Sequence, residues 1–325
     1  TSVTGNVGTG IAAGTSKTVT WDAGTDFDAQ EQSDMRVRIR GTDTYGNAGA
    51  NTQSSDFTID TKNPVVSNVS ATQTSGSNNV VITYDLTDGT AAGHNVELDI
   101  SENGGTTWTV TDTSVTGAVG AGVTAGTGKT ITWAAGTDFN NQEQSDLRVR
   151  VRSLDYFGNQ GSYAQSANFA LDTNVPVVAN VSAAQSATTN NVTITYDLTD
   201  GVSSNVELDL SQDGGLTWTV TDTSVTGDIG SGVATGAGKT AVWNAGTDFL
   251  GQDQNDLRVR VRATDTFNNI GAYSQSANFS VDTSAPTGLS SFSKFTGTTT
   301  QATLNWSSGI TDSNFNHYEI WHGAT

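Results

Sequence analysis

Apolar and polar residues alternate along short runs of this chain. In residues 191–198, Val192, Ile194, Tyr196 and Leu198 share one face, and further on Val206, Leu208 and Leu210 alternate with Glu207 and Asp209. Leu257, Val259 and Val261 obey the same rule, as do Ala241 with Trp243, and Ala277 with Phe279 and Val281. A period of two over short runs, broken by clusters of Gly, Asn and Asp, predicts antiparallel strands with one wet face. No run carries a 3.6-residue period, so no helices are expected.

The pattern then repeats as a whole. Thr-Ser-Val-Thr-Gly stands at residues 1–5, 113–117 and 223–227, and Trp21, Trp133 and Trp243 recur at intervals of 112 and then 110 residues. Pro64, Pro176 and Pro286 keep the same intervals, and the shortening falls where residues 89–95 become 201–205. A period this long marks tandem whole domains, since solenoid units run to about 20–45 residues. About seven strands in such a length predicts an all-β chain of β-sandwiches arranged as a rod-like array. The expected divisions are the late part of a repeat at 1–61, complete repeats at 62–173 and 174–283, and the early part of a divergent repeat at 284–325. The incomplete parts are expected to be completed by flanking sequence or by another subunit joining head to tail. Linkers of a few residues predict neighbours that touch end to end.

Composition narrows the function. The chain has 33 acidic and 14 basic residues among 325, a formal charge of −19. That excludes nucleic-acid binding, which needs clustered Lys and Arg, and favours a hydrated surface and cation binding. No stretch of 18 apolar residues exists to cross a membrane. Cysteine is absent, so neither disulfides nor thiolate metal sites are available.

The repeat boundaries carry a more specific signal. Strands end in Asp60-Thr-Lys-Asn-Pro64, Asp172-Thr-Asn-Val-Pro176 and Asp282-Thr-Ser-Ala-Pro286. Each follows a loop: Gly41-Thr-Asp43-Thr-Tyr-Gly46-Asn47, then Ser153-Leu-Asp155-Tyr-Phe-Gly158-Asn159, then Ala263-Thr-Asp265-Thr-Phe-Asn268-Asn269. These resemble the tandem Ig-like and fibronectin type III-like modules of large bacterial secreted and cell-surface proteins. Residues 303–321 resemble the first strands of a fibronectin type III domain. The resemblance implies an extracellular structural or adhesive stalk, as in an adhesin, a filament or an S-layer, acting by extension and stiffness and not by catalysis. Its partners would be neighbouring copies or flanking domains of the same protein, and cell-surface glycans or proteins. Spacer modules of a secreted carbohydrate-active enzyme, or a ligand-binding Ig-like module, are the alternatives.

Candidate chemistry lies in four places. Arg148, Arg150 and Arg152 project from one strand face, repeated as Arg36, Arg38, Arg40 and Arg258, Arg260, Arg262, and are expected to form cross-strand ion pairs with Glu97 and Asp99 or Glu207 and Asp209. Residues 211–218 match the Ser-x-Asp-x-Gly-x-Thr-Trp box of sialidases and other β-proteins; residues 101–108 are its sibling, with Asn103 for Asp213. That box is read as a tight hairpin with Trp over the turn. The carboxylates Asp43, Asp155 and Asp265 precede the last strands, Asp60, Asp172 and Asp282 sit at the junctions, and Asp85, Asp88, Asp197 and Asp200 close another strand. The resemblance implies junctional Ca²⁺ in some members, and Asp155 with Asp172 and Asp265 with Asp282 are the candidate pairs; ordinary turn chemistry is the competing reading. His94, His317 and His322 do not recur with the repeat and are not read as a metal site, and the Gly-rich residues 117–128 read as a flexible hairpin connection. Sequons at Asn68, Asn180, Asn191, Asn278 and Asn305 would permit glycosylation.

Overall fold

The computed structural model describes every residue except 1, 90–92, 293–295, 298–299, 301, 305, 313, 322 and 324–325. His322 and the Asn305 sequon therefore lie outside the described residues. The chain is all-β in character and divides into two compact units, Thr1–Asn174 and Val175–Thr325.

In the first unit one sheet runs in the order Val115–Gly117, Gly126–Ala134, Asn79–Thr87, Val65–Gln73. A second sheet runs Gly120–Val123, His94–Ser101, Glu143–Leu154, Ala164–Gln165, and Phe169–Asp172 also pairs with Glu143–Leu154. All these pairings are antiparallel. The alternation in the sequence decides which residues face inward. Val80, Ile82, Tyr84 and Leu86 from one sheet meet Val96, Leu98, Ile100, Leu147, Val149 and Val151 from the other in a single buried cluster around Trp133. The second unit repeats these pairings with Val177–Gln185, Asn191–Thr199, Ser204–Ser211, Gly236–Asn244 and Asp253–Asp265, and its cluster surrounds Trp243.

Two expectations need correction. One-turn helices occur at Ala23–Asp26, Ala135–Asp138 and Ala245–Asp248. Four residues are too few to display a period, which is why the pattern hid them. Their purpose is local. Asp138 accepts hydrogen bonds from the Trp133 indole (3.0 Å), the Ser114 amide (2.8 Å) and the Ser114 hydroxyl (2.7 Å), which fixes the core tryptophan. The glycine-rich residues 117–128 are not a flexible connection. They pass from one sheet to the other and back, through Val115–Gly117, Gly120–Val123 and Gly126–Ala134. Gly117 has φ of 98°, and a Cβ there would lie 2.4 Å from the Thr130 carbonyl oxygen, so the crossing requires glycine.

Residues 3–60 of the first unit form smaller pairs: Val3–Gly5 with Val19–Trp21, Glu31–Met35 with Phe57–Asp60, and Arg38–Ile39 with Thr52–Gln53. The pairing of Glu31 with Asp60 brings two carboxylates side by side.

Candidate metal centre

Asp60, Asp88 and Asp155 converge within the first unit, with one oxygen of each lying within 4.8 Å of the others. Asp60 ends the strand Phe57–Asp60, and Asp88 follows the strand Asn79–Thr87. Asp155 follows Glu143–Leu154 in a tight turn, accepting from the Asn159 main-chain amide (2.8 Å) and the Asn159 side-chain amide (2.7 Å). The same side-chain amide donates to the Asp60 carbonyl oxygen at 3.1 Å. Asn159 therefore holds the Asp155 turn against the end of the preceding repeat.

Asp60 Oδ1 accepts from the Lys62 amide at 2.8 Å. Its Oδ2 is buried and accepts no hydrogen bond among the described residues. Asp88 Oδ2 lies 2.8 Å from His94 Nε2, and the buried ring's Nδ1 faces the Val123 carbonyl at 3.1 Å. Glu31 adds a fourth carboxylate. Its tip rests on Gly89, where a Cβ would stand 1.9 Å from Glu31 Oε2.

The electrostatics agree with this crowding. Burial, then repulsion from Asp60, Asp88 and Asp155, pushes the Glu31 carboxyl above its ordinary value, and Lys62 opposes the shift. Burial is also the first cause that raises Asp60, followed on the same side by Asp155 and Asp88. A cluster of hard anionic oxygens with one buried oxygen lacking a donor suits a hard divalent cation, which takes oxygen ligands at about 2.3–2.6 Å in the case of Ca²⁺.

The sequence places Asp60 and Asp155 among the candidates but sets Asp155 with Asp172, which the structure separates. Asp172 faces Glu143 at the start of the strand that ends beside Asp155. The intervening twelve positions of strand correspond to about 40 Å at 3.3 Å each, so Asp155 and Asp172 stand at opposite ends. The same register, Asp253 opposite Asp282, separates Asp282 from Asp265. Four of the six candidates join no three-carboxylate group among the described residues. Asp43 is exposed and caps the Tyr45 and Asn47 amides. Asp172 Oδ1 takes the Asn174 amide, Asp265 the amides of Phe267 and Asn269, and Asp282 the Ser284 amide and the Asn314 side chain. Turn chemistry accounts for these bonds. His94 and Glu31 were missed. His94 is replaced by Ser204 in the next repeat, whose hydroxyl reaches Asp200 at 3.4 Å. Glu31 had a usable signal: its repeat equivalents Glu143 and Asp253 are also acidic.

The other motifs fall as follows. Arg150 pairs with Asp99 (2.8 Å) and Arg152 with Glu97 (2.6 Å); Arg260 pairs with Asp209 (2.8 Å) and Arg262 with Glu207. Arg148 and Arg258 instead bond Asn168 and Asn278. Unforeseen was an aromatic layer. The Arg150 guanidinium lies 4.6 Å from the Trp108 ring and 4.0 Å from that of Tyr163, which also stacks on Arg152 at 4.4 Å. Trp218, Arg260, Tyr273 and Arg262 repeat it. In the box, Asp213 Oδ1 caps the Thr217 amide at 2.8 Å and its Oδ2 accepts from the Thr217 hydroxyl at 2.6 Å. Asn103 caps the Thr107 amide at 2.9 Å but donates to that hydroxyl instead.

No protein-family model matches the chain, and no curated protein sequence matches it. Among solved structures it is similar to the YadV chaperone, at 12% identity and a TM-score of 0.22, over 67% of this chain and 100% of that one. A score that low carries no argument about fold or function. Among the described residues, no helix is long and apolar enough to cross a membrane.

Proposed function

We propose that this chain is a segment of a structural or adhesive stalk in a long microbial cell-surface or extracellular protein, built of tandem Ig-like or fibronectin type III-like β-sandwiches. It works by extending and resisting force, with no catalytic step. Its partners are other repeats and flanking domains of the same protein. In this reading the cluster of Glu31, Asp60, Asp88 and Asp155 takes Ca²⁺, which would tie the end of one repeat to the loops of the next.

The observation that carries the reading is the identity of the internal fastenings in the two complete repeats. Gln73 bonds Asp172 as Gln185 bonds Asp282; Trp133 bonds Asp138 as Trp243 bonds Asp248; Arg150 and Arg152 are matched by Arg260 and Arg262. A ligand or catalytic site normally sets one copy apart from the others, whereas a mechanical element repeats the same fastenings in every copy.

Stretching single molecules of the full chain tests this. Two discrete unfolding events are expected, each releasing the 110 or 112 residues of one repeat. A chain that extends smoothly, with no discrete event, would remove the mechanical reading.

A further inference from the structure

Three apolar residues between positions 19 and 39 are exposed copies of buried ones. Val19, Val37 and Ile39 are 41%, 43% and 63% exposed, while Ile131, Val149 and Val151, at the equivalent positions of the next repeat, are each 0% exposed. Ile131, Val149 and Val151 are covered by Val80, Ile82, Tyr84, Leu98 and Ile100 of the strands Asn79–Thr87 and His94–Ser101. Charge follows the same rule. Arg150 and Arg152 meet Asp99 and Glu97, whereas among the described residues no ion pair joins Arg38 or Arg40, and Arg36 pairs with Asp56.

We propose that these residues together form a seat for the early half of a further repeat of the same kind. That occupant has the chemistry of residues 62–112: one apolar strand to pair with Val19–Trp21, and a second whose apolar residues cover Val37 and Ile39 while its carboxylates meet Arg38 and Arg40. The proposal rests on the tandem-repeat reading and adds the identity of one partner. The template for the fit is inside the chain, since residues 113–154 accept such strands with Arg150 opposite Asp99 and Arg152 opposite Glu97 in register. Two copies of the exposed face placed against each other are disfavoured, because that would set Arg38 and Arg40 against the same residues of the second copy.

The absence of cysteine provides the test. Ile39→Cys introduces a single thiol, and so does Val151→Cys in a parallel variant. Each is made in the full chain and in a fusion that adds a copy of residues 62–112 ahead of residue 1, at the spacing found in the complete repeat. Reactivity toward a soluble disulfide reagent is measured in all four. The thiol of the Ile39→Cys variant is expected to react freely in the chain itself and about 100-fold or more slowly in the fusion, the protection that a locally closed structure confers. That of the Val151→Cys variant should be protected in both, which shows that the molecules are folded. Equal reactivity of the Ile39→Cys thiol in folded chain and fusion overturns the proposal. So does concentration-dependent protection without the added segment, which would assign the face to a second copy. A fusion whose added Glu97 and Asp99 copies are replaced by Lys should lose the protection; if it does not, the charge-matched partner is wrong. None of these failures touches the stretching result, which depends on residues 62–283 alone.

Discussion

Gln73 and Asp172 are joined twice: the Gln73 amide nitrogen donates to the Asp172 carbonyl at 2.7 Å, and the Asp172 amide donates back to Gln73 Oε1 at 2.8 Å. The side chain thus acts as a short piece of strand, tying the end of Val65–Gln73 to the end of Phe169–Asp172. Gln73→Ala leaves a buried N–H and C=O unsatisfied and is expected to cost about 1–3 kcal/mol. Urea unfolding of the first unit measures it, and an unchanged midpoint would show the clamp to be dispensable.

Trp133 and Trp243 fill the centres of the two cores and are fully buried. Truncating either to alanine is expected to cost about 3–5 kcal/mol. Because both make the same indole bond to an aspartate at the end of a one-turn helix, the two losses should agree to within about 1 kcal/mol. Calorimetry of the paired variants checks this; a well-tolerated Trp243→Ala would contradict the packing.

The arginine layer predicts an asymmetry between its partners. Asp99→Asn weakens one partly exposed ion pair and should cost less than about 1 kcal/mol. Arg150→Ala also strips two stacked ring faces and should cost about 1–2 kcal/mol. Equal losses would mean that the stacking contributes nothing.

Asp213 supplies a pH test. Hydrogen bonds from the Thr217 hydroxyl and amide and the Ser211 hydroxyl hold its pKa down to about 2. A folded value below the unfolded one gives stability that is present above the ordinary carboxylate range and is lost as pH falls toward 2. Asp213→Asn, which copies Asn103 of the preceding repeat, should therefore keep its melting temperature at pH 7 and unfold at lower pH than the parent. An unchanged acid midpoint would rule out this contribution.

The acidic cluster predicts a response to Ca²⁺. The melting temperature of the first unit should rise with the logarithm of free Ca²⁺, by the equivalent of about 2.7 kcal/mol at a hundredfold excess over the dissociation constant. Glu31→Gln should weaken the response and leave the protein in chelator no less stable, since it relieves repulsion from Asp60, Asp88 and Asp155. Superimposable melts with Ca²⁺ and with chelator would remove the cation from the account.

The strand pattern was legible because side-chain alternation is local: the inward set Val192, Ile194, Tyr196 and Leu198 is readable within eight residues, and all four are buried. The ion pairs at Arg150 and Arg152 were legible because the repeat fixes which strands carry opposite charge. The acidic cluster was half legible. Its members lie on four separate segments, and which end of a long strand each occupies depends on pairing direction, which residue types do not encode. The same reason hid Tyr163, whose ring reaches Arg150 and Arg152 from a segment with no alternation of its own. His94 left no such signal because it serves only one copy, and Ser204 stands in its place in the next.

The two tryptophans of each complete repeat occupy opposite environments. Trp133 is sealed in the interior, whereas Trp108 lies half-exposed on the outer face with a guanidinium across its ring. Iodide should quench Trp108 and spare Trp133, so each repeat holds its own pair of optical reporters. As a repeat is pulled or heated, loss of contrast between them would tell whether the outer layer peels away before the interior opens.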